Sequence, residues 1–160
     1  MFQRKCVYLH HKLINQPTAN GDDMKNNMKQ LKEIAKRQGF KVFTGSEFTF
    51  FFIGSKIRVG KGCGPKVTEW RFLHELGHAE LCNAKDRHHL LTLYRILGMP
   101  SYKPTAAFYR DYLKMEWKAW EQGAKIAKRE GIRIDETGYW RHAKACYQTY
   151  VDNLKDVYEG

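Results

Sequence analysis

After the polar stretch Asn20-Gly21-Asp22-Asp23, apolar residues recur at helical spacing: Met24, Met28, Leu31, Ile34 and Ala35. At about 100° per residue they share one face, and Gly39 supplies a stop. A turn with capping residues, then an amphipathic helix, is the prediction. Residues 40–43 read as a short strand. Phe48 to Ile53 is a Phe-rich run of strand character, Gly54-Ser55 offers a tight turn, and Lys56-Ile57-Arg58-Val59 alternates polar with apolar. These segments predict a hairpin within a small antiparallel sheet. Gly60 to Pro65 breaks the pattern. Helical periodicity then returns over 66–82, 88–97, 106–130 and 137–158, with Gly98, Pro100, Pro104 and Gly131 as the breaks. In the last segment Trp140, Tyr147, Tyr150, Val151 and Leu154 form an apolar stripe. A helix, a small sheet and then further helices make an α+β fold, expected as one domain over 1–160.

Composition narrows the class. Of 160 residues, 42% are hydrophobic and 14% aromatic, which excludes a disordered or low-complexity chain. No apolar run approaches the roughly 18 residues of a membrane span, and the N-terminus lacks an apolar signal region. No membrane partner is expected, and the cytoplasm is the expected compartment. Cys6, Cys63, Cys82 and Cys146 form no C-x-x-C pair and read as reduced thiols. The formal charge of +11 suits nucleic acid or another acidic partner. Gly60-Lys61-Gly62 resembles a phosphate-binding loop only superficially. Five residues separate Gly54 from Gly60, and Gly62 stands where Ser or Thr is required.

His74-Glu75-Leu76-Gly77-His78 carries the chemistry. With seven His and ten Glu in the chain, chance supplies only about 0.02 matches to H-E-x-x-H. Residues four apart on a helix share a face, so both imidazoles reach one ion. Zinc accepts neutral imidazole nitrogen, and a catalytic site adds a third protein ligand and a water. Glu75, beside the first His, is placed to take that water's proton as general base. Phe72, Leu76 and Ala79 lie opposite the His pair, and Val67, Trp70, Leu73, Gly77 and Leu81 extend the apolar surface. The helix is therefore expected to be buried. The alternative is a pair of hydrogen-bonded core histidines.

A third ligand must come from elsewhere, since Ala84 occupies the position at which H-E-x-x-H-x-x-G-x-x-H has its last His. Glu80 points away from the pair. Glu116, Glu121, His88, His89 and His142 are the candidates. Glu116 lies in the apolar stripe of 106–130, among Tyr109, Tyr112, Leu113, Ala119, Trp120, Gly123 and Ala127. Glu121 shares its face with Lys114, Lys118, Lys125 and Lys128 and is expected to be solvated and lysine-paired. A carboxylate inside an apolar stripe is anomalous and wants a cation, so Glu116 is the preferred ligand; the alternative is a buried Glu neutralised by an Arg, or a half-exposed one. Tyr109 and Tyr112, on the same stripe, are candidate oxyanion donors, with core packing as the alternative.

Arg71-Phe72-Leu73-His74-Glu75-Leu76-Gly77-His78 resembles the active helix of ImmA/IrrE-type zinc metallopeptidases, a gluzincin-like H-E-x-x-H family. Glu116-Trp117-Lys118-Ala119 is similar to that family's later helical Glu, followed three residues on by Ala. Leu73 replaces the family's usual Ala, and 83–105 lengthens the gap between the two pieces. The resemblance implies a minimal zincin-like fold, Zn2+ on His74, His78 and Glu116, and Glu75 as base. The expected activity is hydrolysis of peptide bonds in a protein or peptide substrate through a zinc-bound water. Residues 56–59 could then pair with an extended substrate by strand addition. Two alternatives fit the charge: a basic nucleic-acid-binding module, and a SprT-like protease acting on DNA-bound proteins. A zincin fold with a purely structural metal is a further one.

Overall fold

The computed structural model describes residues 21–51, 55–98 and 105–159. Cys6, Asn20, Phe52, Ile53, Gly54, Pro100 and Pro104 lie outside the described residues, as do the side chains of Met24 and Leu154. The chain is α+β: helix α1 (Gly21–Arg37), strands β1 (Lys41–Gly45), β2 (Thr49–Phe51) and β3 (Lys56–Gly60), then helices α2 (Pro65–Asn83), α3 (Arg87–Gly98), α4 (Ala106–Arg129) and α5 (Glu136–Glu159).

The helix ends follow local chemistry. Gly39, at φ +84°, lets the chain leave α1 by a left-handed turn in which Phe40 N–H donates to Ala35 O. Pro65 opens α2, where its missing N–H costs nothing. Asp86 accepts from the His89 N–H at 2.9 Å and so caps α3. Thr105 caps α4 through Phe108 N–H, and Asp135 accepts from Gly138 N–H at the start of α5.

The sheet corrects the expectation of an all-antiparallel arrangement. Its order is β1-β3-β2: β2 pairs antiparallel with β3, as a hairpin should, but β1 runs parallel to β3. After β1 the chain crosses to the far edge, forms β2, and returns to insert β3 in the centre. Alternation along a strand reports its buried face and not its neighbours, so this order leaves no local trace. The centre position has a functional consequence. Paired on both sides, β3 offers no edge to an incoming strand, and the edges are β1 and β2. Strand addition at 56–59 is therefore ruled out.

Ile57 and Val59 are buried, while Lys56 and Arg58 face outward, which gives the sheet one apolar face. One cluster of buried residues runs from Leu31 and Ile34 of α1 through Ile57, Phe72, Leu73, Leu76 and Ala79 to Met115, Trp120, Ile126 and Tyr139. Helix α2 is buried over most of its circumference, as its apolar surroundings predict. Each fully buried Leu, Ile or Phe contributes about 1.5–3 kcal/mol to that core. A polar clasp joins the helix ends: Glu80 of α2 accepts two hydrogen bonds from Arg129 of α4, at 2.7 and 2.9 Å. The guanidinium holds the Glu80 carboxyl below the usual carboxylate range. Among the described residues, Cys63, Cys82 and Cys146 form no disulfide with one another. Among the described residues no helix is long and apolar enough to cross a membrane.

Candidate metal centre

Helices α2 and α4 cross with their backbones nearly touching. A Cβ on Gly77 would lie 2.1 Å from the Ala119 carbonyl oxygen. One on Gly123 would lie 2.7 Å from the Leu73 oxygen and from the Tyr139 hydroxyl. Two glycines in helix interiors, each costly relative to Ala, are thus explained by the approach they permit. At this crossing a short carboxylate on α4 reaches two imidazoles on α2.

His74, His78 and Glu116 are brought together there, all buried, with one ligand atom from each in a single group able to hold a metal ion. His74 Nε2 lies 3.1 Å from His78 Nε2 and 3.2 Å from Glu116 Oε2, and the third edge, His78 Nε2 to Glu116 Oε2, is 3.5 Å. Donors 2.0–2.1 Å from a tetrahedral ion stand about 3.3–3.4 Å apart, so the triangle has the size such an ion requires. An N–H on His74 Nε2 can aim at one neighbour but not both, whereas one ion meets all three atoms at once. Burial also pushes the His78 pKa down, against the pull of Glu116, and so favours the neutral ring that ligates a metal.

The surrounding groups fix these side chains. Trp120, one turn after Glu116, stacks on His74 with ring centroids 4.3 Å apart and planes 28° from parallel. Tyr139 of α5 donates to the Trp120 carbonyl at 2.7 Å. His78 Nδ1 lies 3.2 Å from His89 Nε2 on α3. Burial, with the neighbouring His78, lowers the His89 pKa to about 3, so its ring is neutral. Glu75 is buried beside the group, and its carboxylate is close enough to act electrostatically on His78.

The other candidate ligands go elsewhere. Glu121 is exposed as expected, but it accepts from the Trp117 indole at 3.0 Å, where lysine pairing was expected. Lys118 pairs with Asp86, while Lys114, Lys125 and Lys128 are exposed. His88 meets the Asp111 carbonyl at 3.3 Å. His142 packs beside Trp70 and Trp120, with Nε2 3.4 Å from Cys146 Sγ. Burial and the charge of Arg71 bring its pKa down to about 4. Tyr109 is buried edge-on to Phe108, and half-buried Tyr112 is edge-on to Tyr150. Sequence reasoning missed Trp120 as the platform under His74 and the glycine crossing. Signals for both existed: Trp120 is four residues from Glu116 on the same face, and helix-interior glycines mark close backbone approach.

Comparison with protein-family models, with curated proteins and with solved structures gives no match to this chain.

Proposed function

We propose that this chain is a zinc metallopeptidase, related to the ImmA/IrrE type, that hydrolyses peptide bonds of a protein or peptide substrate. The observation that carries this reading is the buried triangle of His74, His78 and Glu116, with a second buried glutamate, Glu75, next to His74 in the chain. Two neutral nitrogens and one carboxylate are a donor set suited to zinc, and they match the three protein ligands of catalytic sites. Zinc held there would lower the pKa of a water toward about 7 and polarise a scissile carbonyl.

The chain's own residues supply the rest. His74 and His78 present their Nε2 atoms to the ion. Glu116 offsets part of the ion's charge, and its place in the triangle makes it a ligand and not a base. Glu75 has no place in the triangle and keeps a carboxylate for proton transfer. It takes the proton of the attacking water and delivers it to the leaving amine nitrogen.

Casein hydrolysis tests this. Turnover should vanish with a zinc chelator and return with zinc. Glu75→Gln should lower it by roughly 10²–10⁴-fold, the usual contribution of a general base, with zinc uptake and helicity unchanged. Turnover that survives either treatment contradicts the proposal.

A further inference from the structure

His89 lies outside the ligand triangle, yet it is fully buried and its ring touches a ligand on the side away from the ion site. We propose that His89 is a positioning residue for the metal centre, accepting a hydrogen bond at Nε2 from His78 Nδ1–H and thereby fixing the tautomer and ring plane of His78. The inference rests on the metal-site reading above and deepens it.

The tautomers determine the direction of the bond. His78 can offer Nε2 to an ion only if its proton sits on Nδ1. That N–H must then find an acceptor, because a buried donor without one is costly. At 3.2 Å, His89 Nε2 is that acceptor. His89 must in turn carry its proton on Nδ1, and this atom is buried with no hydrogen-bond partner among the described residues. The ring's described hydrogen bond is therefore made to His78, and the arrangement favours the centre at the expense of His89 itself. An apolar side chain would fill the same space without burying an idle N–H.

The backbone of His89 is also held in place. Asp86 Oδ1 accepts from the His89 backbone N–H at 2.9 Å, and Lys118 of α4 donates to Asp86 Oδ2. The brace thus runs from α4, which carries Glu116, through Asp86 to the first turn of α3, and places His89 against α2. Metal-bound histidines are commonly oriented by a carboxylate or a carbonyl; here a second imidazole takes that task.

Zinc affinity, read by competition with a chromophoric chelator, tests the assignment. His89→Ala should weaken zinc binding by about 10–100-fold, the usual loss on removing such a partner. His89→Gln, whose amide oxygen can accept in place of Nε2, should recover most of it. Both variants should keep the far-ultraviolet circular dichroism of the parent. Should His89→Ala fail to fold, long-range nitrogen–proton NMR of the zinc-loaded parent decides. His78 should carry its proton on Nδ1, with a coupling across the N–H···N bond to His89. Parent-like affinity in folded His89→Ala, or a zinc-loaded parent without that coupling, overturns the role of His89 and leaves the site standing. Failure of the parent itself to take up zinc overturns the site, and with it this inference.

Discussion

Glu116 and Glu121 sit five residues apart on one helix and have opposite fates. Glu116 is 1% exposed and meets two imidazoles; Glu121 is exposed and holds an indole N–H. The difference was legible in the chain, because a helical wheel separates the apolar stripe from the lysine face. The His74–His78 pair was legible in the same way, since spacing alone puts both rings on one face. His89 was not. Its contact with His78 depends on where α3 docks, which no local pattern specifies, and as a neighbouring His pair His88 and His89 look alike. The structure sends one to a backbone carbonyl and the other into the core. Glu116→Gln should therefore weaken zinc binding by on the order of 10²-fold or more, beyond the loss on removing a residue that only orients a ligand, whereas Glu121→Gln should leave it unchanged. The metal-free Glu116→Gln protein should be no less stable than its parent, since it no longer buries a charge. Zinc titration and thermal melting of both variants check this, and equal zinc affinities would assign the third ligand elsewhere.

At the level of elements, the four helices after the sheet were legible to within a residue or two, because each has a periodic face and defined breaks such as the Gly60–Pro65 stretch and Gly131, while α1 begins at Gly21, inside the stretch read as a turn. The pairing of β1 was not, since a strand's alternation is the same beside a parallel or an antiparallel neighbour. The α2–α4 crossing is the element contact on which the site depends most. Gly77→Ala would drive a methyl into the Ala119 carbonyl, which is backbone and cannot swing aside. The helices must separate, carrying Glu116 away from the imidazoles. The expected result is a loss of about 1–3 kcal/mol of stability, as in other overpacked cores, together with weakened zinc binding. Chemical denaturation and zinc titration measure the two effects. A variant that keeps both parental values would show that the close crossing is not what builds the site.

For the whole molecule, the ligands come from positions 42 residues apart in sequence, on helices that meet only when the core has assembled. Helix α3 reaches the same point through the Asp86–Lys118 ion pair, and α5 through the Tyr139–Trp120 hydrogen bond. Metal binding and folding should accordingly be linked, because the unfolded chain holds no preformed triangle. The zinc content of the purified protein after equilibrium dialysis against dilute zinc, determined by elemental analysis beside His78→Ala, tests the central claim most directly. One zinc per chain in the parent and a large loss in the variant are predicted; no zinc in the parent, or equal zinc in both, would contradict the account.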